Sequence, residues 1–363
     1  MNLNFIRSDR RNGWILVGGL TILLRYLLGF RPDWIEGIYS RGLFLGIRSF
    51  LDCTFGLLPV PTLYLLLLLL LYDIGQRAIR LYQRPNSLVD KIKQTIHSLL
   101  AFLSALIFFF LFLWGFNYGR IPLEEQIQID PQPLSLAELK SELEEHTIIL
   151  TRERVQVPRA DSQALGAAAL PETLKTDLRQ VLEQTLAQLS YPSHGHPRAR
   201  LLQPRGVLLR ISTAGFYLPF TGECHVDAGL HPLQLPFVMA HEYAHAYGIT
   251  DEGSCNFLAY LTCAQSSDPF IRYSGQLSYW RYLAGNYQAY RPEVYAAYRK
   301  TLPPGIVADL NAINANSLKY PDILPELRDL AYDSYLKSQG ISEGIESYSR
   351  IIMLVKAWKA RQQ

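Results

Sequence analysis

The chain has 363 residues, which is enough for one sizeable folded core and a second module. Its formal net charge of +3 is too small to indicate a nucleic-acid-binding surface, so nucleic acid is not an expected partner. The four cysteines include no C-x-x-C pair, which excludes a zinc ribbon, and we expect them to be free thiols.

Three long apolar stretches occupy the N-terminal third of the chain. Trp14–Phe30 is apolar apart from one arginine, Phe55–Tyr72 contains an unbroken leucine run, and Leu99–Phe116 carries no charge. Each stretch is close to the ~20 residues that cross a bilayer as a helix. We therefore predict a multi-pass membrane region over residues 1–118, with transmembrane helices at about 14–30, 55–73 and 98–117 and the lipid bilayer as a partner.

The charges that flank these stretches predict their orientation. Basic residues cluster at the N-terminus and between the second and third spans, whereas the segment after the third span turns acidic; the basic residues are Arg7, Arg10, Arg11, Arg77, Arg80, Arg84, Lys91 and Lys93. Because positive residues mark the cytoplasmic side, the C-terminal domain is predicted to be extracytoplasmic, on a protein of the inner (cytoplasmic) membrane. The first span lacks a following cleavage site, so we interpret it as a retained anchor.

After a linker at 119–133, residues 134–363 are predicted to form a mainly α (α+β) domain with a small sheet. Ser135 and Glu138 have the pattern of a capping box that opens a helix to about His146. The further expected elements are an extended Ile148–Val157, a helix at Pro171–Leu189, a strand at Val207–Ile211, two strands at Phe216–Leu218 and Glu223–Val226, and late helices near 268–286, 292–301, 304–316, 324–338 and 343–360.

The sequence His241-Glu-Tyr-Ala-His245 is an H-E-x-x-H motif. On a helix, two histidines four residues apart lie on the same face, so both imidazoles can reach one Zn²⁺ ion. Glu242 can then act as the general base toward the water that the metal activates. The flanks support a helix, since Pro236 suits a first turn and Gly248 suits a helix end.

A catalytic zinc site needs a third protein ligand, and the nearest downstream carboxylates are Asp251 and Glu252. Thr250 or Asp251 can cap a second helix, on which Glu252 and Asn256 share one face. The arrangement resembles that of the gluzincins, in which a glutamate on the next helix is the third ligand. The resemblance implies Glu252 as the metal ligand, with Asp251 as the alternative, and places Asn256 where gluzincins have an acidic residue that supports a histidine.

Several other residues are candidates for supporting roles. The donor that stabilises the oxyanion is predicted to be Tyr348, with Arg350, Tyr217 and His225 as alternatives. Glu223–Asp227 is either an edge strand that pairs with a substrate peptide or an ordinary hairpin strand. A second metal site at His194 and His196 is not expected, because such pairs in Gly/Pro loops are usually solvated.

Much of the chain also resembles a family of uncharacterised bacterial membrane proteins, domain of unknown function 3810. The matching runs are Tyr39–Gly42, Gly215–Gly222, Met239–His245, Cys255–Leu261, Tyr335–Gly340 and Glu343–Arg350. The family pattern usually has a second acidic residue where this chain has Ser254, which favours Glu252 as the ligand here. The resemblance implies a membrane-anchored, gluzincin-like peptidase and leaves the substrate open.

The sequence therefore predicts a membrane-anchored zinc-dependent hydrolase, a metallopeptidase with Zn²⁺ on His241, His245 and Glu252 and with Glu242 as the base. Its substrates are expected to be peptides or proteins outside the cytoplasmic membrane. Two alternatives remain: an inactive membrane scaffold with a gluzincin-like fold, and an amidase that acts on cell-wall material. The sequence does not indicate the oligomeric state.

Overall fold

The computed structural model of the chain describes residues 9–83, 85, 87–158, 161–323, 326, 330, 334 and 350–362. It is mainly helical and forms two compact units. The first takes in the described residues up to Arg120 together with Leu218–Gly222. The second takes in those of Ile121–Tyr217 and those from Glu223 onward.

The first unit consists of helices joined by short turns. Its helices are α1 (Arg10–Leu28), α2 (Phe44–Cys53), α3 (Thr62–Gln83) and α4 (Leu88–Leu113), with a π-helical segment at Ile35–Leu43 that continues into α2. Among the described residues, α3 and α4 are long and apolar enough to cross a membrane. A third span results if α1 and Pro32–Leu57, which meet at a bend of 111°, are counted as one broken span.

The second and third apolar helices differ in extent from the predicted spans 55–73 and 98–117. Helix α3 begins at Thr62, after two prolines at 59 and 61, because proline lacks the N–H that a helix interior needs. Helix α4 begins at Leu88, where the Ser87 side chain accepts a hydrogen bond from the Asp90 amide (3.2 Å). The described residues between 77 and 93 are therefore mostly helical, because α3 extends to Gln83 and α4 begins at Leu88.

Small and polar residues hold the first unit together. A Cβ at Gly18 would lie 2.6 Å from the Cβ of Ser104, so this glycine allows α1 and α4 to approach closely. The turn Leu218–Gly222 is bound by two side chains. Arg48 Nη1 donates to the Gly222 carbonyl (2.8 Å), and the hydroxyls of Thr62 and Thr221 are hydrogen-bonded (2.7 Å).

The second unit packs its helices around two central ones. Its helices are α5 (Leu136–Gln156), α6 (Leu174–Gln188), α7 (Leu235–Ala246), α8 (Glu252–Gln265), α9 (Pro269–Tyr290), α10 (Pro292–Arg299), α11 (Pro304–Ser317) and α12 (Ile351–Arg361). The core includes large side chains on α8 and α9 that are almost fully buried, among them Phe257, Tyr273 and Trp280. The late helices near 268–286, 292–301 and 304–316 are thus confirmed, whereas the segment predicted at 324–338 lies largely outside the described residues.

Helix α5 corrects one prediction and confirms another. The capping box of Ser135 and Glu138 is present, as predicted. The helix does not end near His146, however, and the segment predicted to be extended, Ile148–Val157, is helical as far as Gln156. Its β-branched residues, Ile148 and Val155, are exposed, while the buried residues repeat every three or four positions, so helical burial outweighs local strand propensity.

The sheet of the second unit has three strands, β1 (Arg198–Leu202), β2 (Gly215–Leu218) and β3 (Glu223–Asp227), in the order β1–β3–β2. β1 and β3 are parallel, with Arg198 opposite Glu223. β3 is therefore the central strand, so of the two alternatives for Glu223–Asp227 the edge strand is wrong. The strand predicted at Val207–Ile211 is also absent: this segment is a turn whose Leu208 and Leu209 amides donate to the Asp227 carboxylate (2.7 and 3.1 Å).

Candidate metal centre

Helix α7 carries the H-E-x-x-H motif, as the sequence predicted. Pro236 lies in its first turn, and Gly248, with φ +86°, lies just beyond its end. A positive φ is easily adopted by glycine alone, so the chain can reverse sharply there and begin α8 at Glu252. The two helices pack against each other and bring the motif and the following carboxylate into one buried cluster.

Three ligand-type atoms meet in this cluster. The Nε2 atoms of His241 and His245 are 3.1 Å apart. The Oε2 atom of Glu252 lies 3.1 Å from Nε2 of His241 and 3.5 Å from Nε2 of His245. All three side chains are buried, with at most 11% of their surface exposed. The structure thus brings together the three residues that the sequence predicted as metal ligands.

The hydrogen bonds on the far side of each imidazole define its tautomer. Nδ1 of His245 lies 2.9 Å from the Ile249 carbonyl, which can only accept, so the proton is on Nδ1. Nδ1 of His241 lies 2.9 Å from Oδ1 of Asn256, which also accepts. With the proton on Nδ1, the neutral form of each imidazole has its lone pair on Nε2, which is the form in which histidine binds a metal.

The donor set fits a zinc ion. Two imidazole lone pairs and a carboxylate oxygen repel one another unless a cation or a proton lies between them. Around tetrahedral zinc, with bonds of about 2.0–2.1 Å, neighbouring ligand atoms are about 3.3 Å apart. The observed separations of 3.1, 3.1 and 3.5 Å bracket that value. Nitrogen and oxygen ligands of this number are those of catalytic zinc sites, which keep a position open.

The alternative ligand, Asp251, has a structural role. Its Oδ1 accepts hydrogen bonds from the amide and the hydroxyl of Ser254 (both 2.7 Å), which makes it the N-cap of α8. Its Oδ2 forms an ion pair with Arg350 (3.2 Å). Both carboxylate oxygens are therefore engaged away from the histidine Nε2 atoms.

Cys255 also lies close to both histidines, since its Sγ and their ring nitrogens fall within 4.8 Å of one another. The sulfur is 3.4 Å from Nδ1 of His245, which is the protonated nitrogen and not the one that faces Glu252. The same sulfur lies 3.6 Å from the Ile249 carbonyl, to which the thiol donates. We therefore assign the third position to Glu252 and not to Cys255.

Glu242, the residue predicted as the general base, is buried beside the cluster. Its Oε2 has no hydrogen-bond partner among the described residues, and burial raises its pKa to about 7 against the opposing effect of the two histidines. Gly215 on β2 provides the space, because a Cβ there would lie 2.9 Å from Oε1 of Glu242 and 2.7 Å from the His225 carbonyl. A carboxylate whose pKa is near neutral can both take and return a proton.

The structure separates the candidates for the oxyanion donor. Tyr348 lies outside the described residues. Arg350 is paired with Glu124 and Asp251. Cys224 donates to the Glu242 carbonyl (3.2 Å), so its neighbour His225 faces the opposite side of the sheet, where its ring contacts Phe216.

By the same alternation along β2, Tyr217 lies on the face that carries Gly215 and is the described candidate on the Glu242 side. The other histidines have local roles or lie on the surface. His231 accepts the Leu233 amide just before α7 (3.3 Å). His196 is 77% exposed, and among the described residues no metal-type cluster includes it.

Residues outside the H-E-x-x-H motif also contact the residues of the cluster. Gly215 makes room for Glu242, and the Tyr243 hydroxyl accepts the Ala199 amide of β1 (3.3 Å), which ties the sheet to α7. The sequence carries no signal for these contacts, because each depends on the packing of elements that are distant along the chain.

The fold and the cluster together define a mainly helical protein with helices of membrane-spanning length and a buried centre of two histidines and one glutamate. The chain belongs to the family described as protein of unknown function DUF3810, whose profile matches residues 39–356. No curated protein and no solved structure matches the chain.

Proposed function

We propose that this protein is a membrane-anchored, gluzincin-like zinc peptidase that cleaves peptides or proteins outside the cytoplasmic membrane. One observation carries the proposal: two histidine Nε2 lone pairs and one carboxylate oxygen converge within 3.5 Å, next to a buried glutamate with a raised pKa. This combination of a three-ligand N/O set with an adjacent base is that of hydrolytic zinc sites.

Each residue of the centre has a separate proposed role in metal binding or catalysis. His241, His245 and Glu252 hold the metal, which when bound supplies a Lewis acid and lowers the pKa of a coordinated water toward ~7. Glu242 takes the proton of the attacking water at its carboxylate and returns it to the leaving amine. The donor for the developing oxyanion is Tyr217 among the described residues, with Tyr348 still a prediction.

The sheet offers a place for an extended substrate. β2 is at an edge of the sheet, and Gly215 on this strand borders Glu242. A peptide that adds to the sheet beside β2 would run its backbone past the general base. In this proposal β2 takes the role that was one of the two alternatives for Glu223–Asp227.

The proposed location follows from charge. The basic residues at the facing ends of α3 and α4, including Arg77, Arg80, Lys91 and Lys93, mark the cytoplasmic side. The unit with the metal centre then lies outside. Alkaline phosphatase fused after Gln362 should be active and the enzyme fused near Arg84 should not; the reverse pattern would contradict this topology.

The metal is tested first, on the purified full-length chain. Elemental analysis should find one zinc ion per chain, and His241→Ala or His245→Ala should lose it. Glu252→Gln should weaken binding far more than Asp251→Asn, because Asp251 caps α8. A larger effect of Asp251→Asn would show that the third ligand is misassigned. Equal zinc content in all variants would show that these residues do not form a zinc site.

Catalysis is tested by Glu242→Gln, a nearly isosteric change that should keep both the fold and the zinc. Because Glu242 moves protons and is not a ligand, hydrolysis should fall by ~10²–10⁴-fold. Extended peptides and cell-wall fragments are screened with the wild type, with the variant and with a chelator. Cleavage of cell-wall fragments alone would favour the amidase. No cleavage, with full cellular function of the variant, would favour the scaffold.

A further inference from the structure

The turn that joins β2 to β3 is bound by buried side chains of the first unit. Leu218–Gly222 belongs to that unit together with Arg48 and Thr62. The Thr62 hydroxyl donates to the Thr221 hydroxyl (2.7 Å), and Nη1 of Arg48 donates to the Gly222 carbonyl (2.8 Å). The three side chains in these bonds are at most 2% exposed. Such bonds are costly to break, because a buried partner is left without water.

Gly222 allows the turn to approach Arg48 closely. Its φ of +73° is a conformation that residues with a side chain rarely adopt. A Cβ at this position would lie 2.5 Å from Nη2 of Arg48 and 2.7 Å from Nη1, so no side chain fits between the turn and the guanidinium. Asp52, one helical turn later on α2, accepts from Nε (3.2 Å) and Nη2 (2.5 Å) of the same arginine. The group that binds the turn is therefore itself held in place.

β2 connects this turn with the general base. A Cβ on Gly215, the first residue of the strand, would lie 2.9 Å from Oε1 of Glu242. Leu218 ends the strand three residues later, about 10 Å away in an extended chain. Its carbonyl accepts from the amides of Thr221 and Gly222 (3.2 and 2.8 Å), so the turn is hydrogen-bonded to the end of the strand. Among the described residues, β3 is the one neighbour of β2 in the sheet, so the position of β2 depends on this turn as well.

We propose that Thr62 and Arg48 are positioning residues for β2: by binding the turn Leu218–Gly222 they hold the strand beside Glu242, and so determine how an extended substrate lies against the general base. The proposal rests on the proposed function, in which a peptide adds to the sheet beside β2. A strand that is ordered in advance spares the substrate the cost of ordering it. The helices of the first unit then contribute to substrate binding in addition to membrane attachment.

The test acts on the bond between the two threonines. Thr221→Val removes one hydroxyl with little change in shape, Thr62→Val removes the other, and Thr221→Ser keeps the hydroxyl. The matched control is Thr21→Val on α1, a buried threonine of the same unit whose hydroxyl donates to the Val17 carbonyl of its own helix (2.8 Å). All variants are made in the full chain and studied in lipid nanodiscs.

The first readout needs neither metal nor substrate. Hydrogen–deuterium exchange, followed by mass spectrometry, measures how often the segment 215–222 opens. Thr221→Val leaves the buried Thr62 hydroxyl without this partner, so exchange of the segment should become about 5–30-fold faster, while exchange of α7 and the zinc content stay unchanged. Thr62→Val should have the same effect, and the double variant should add nothing, because all three lack the same bond. Thr221→Ser and Thr21→Val should exchange as the wild type does.

The second readout is the kinetics of peptide hydrolysis. The probes are a quenched fluorescent octapeptide, taken from the screen of extended peptides, and the tripeptide that keeps its scissile bond. Thr221→Val should raise KM for the octapeptide by a factor similar to the change in exchange and leave kcat nearly unchanged, because the strand binds the chain on either side of the reacting bond. The tripeptide is too short to add to β2, so its KM should stay the same.

Equal exchange of the segment 215–222 in Thr221→Val and the wild type would overturn the proposal. Faster exchange with an unchanged KM for the octapeptide would also overturn it, because the turn would then stabilise β2 without positioning a substrate. An equal rise of exchange in α7 would contradict it too, since it would show a general loss of stability. If the wild type cleaves no peptide, the proposed function fails, whereas the exchange measurements still decide whether the two threonines hold β2.

Discussion

Two buried carboxylates of the second unit, Asp309 and Glu252, have opposite surroundings. Asp309 accepts from Arg154 (2.8 Å) and from the Tyr273 hydroxyl (2.6 Å) at Oδ2, and from the Leu165 amide (2.7 Å) at Oδ1. Glu252 instead faces the Nε2 atoms of two imidazoles, at 3.1 and 3.5 Å. The protein donors around Asp309 are sufficient to satisfy its carboxylate, whereas the residues around Glu252 have the composition of a cation site. Burial of a carboxylate therefore does not by itself show whether its role is structural or functional.

The largest expected effect on stability belongs to the Asp309 group. Arg154→Met leaves the buried Asp309 charge without its cation, which should cost about 3–5 kcal/mol of unfolding free energy, whereas zinc content should not change. Thermal melting and elemental analysis check this. The double variant Arg154→Met/Asp309→Leu should recover most of the loss, since it removes both charges; failure to recover would mean that packing and not charge compensation dominates.

A buried histidine outside both groups should make stability depend on pH. Burial lowers the pKa of His146 from 6.5 to about 4. Between these values the unfolded chain binds a proton that the folded chain does not, so the unfolding free energy should fall by about 3 kcal/mol as the pH falls through this window. His146→Phe should flatten the profile. Parallel profiles for His146→Phe and wild type would contradict the assignment.

The smallest effect on stability is expected at the turn after α7. Gly248→Ala puts a side chain at φ +86°, which costs about 1–2 kcal/mol. The same turn presents the Ile249 carbonyl to His245, so zinc affinity should fall as well. The control is Gly285→Ala on α9, where a Cβ meets nothing within 4 Å and alanine should stabilise the helix by about 0.5–1 kcal/mol. Equal zinc affinity in Gly248→Ala and Gly285→Ala would show that the turn does not affect metal binding.

Local patterns in the sequence were sufficient to predict helix α7, the glycine that follows it and the start of α8. The histidine spacing, Gly248 and the cap at Asp251 are all read within 15 residues of one another. Local patterns were insufficient where tertiary packing determines the structure. The second half of α5 is helical although Ile148 and Val155 favour a strand. β3 is the central strand although its sequence has no feature that distinguishes it from an edge strand. Gly215 borders Glu242 from another element, β2, and no short sequence pattern predicts such a contact.

The two histidines of the centre differ in how easily a substitution can remove the hydrogen-bond acceptor of their Nδ1 atom. The support of His245 is a main-chain carbonyl, which every residue at position 249 supplies. The support of His241 is the side chain at position 256, which a single substitution can remove while the helices stay packed. Under the proposed function, a relative could keep both histidines and the fold and still bind metal poorly, so the residue at position 256 would be a sharper marker of metal binding than the motif itself.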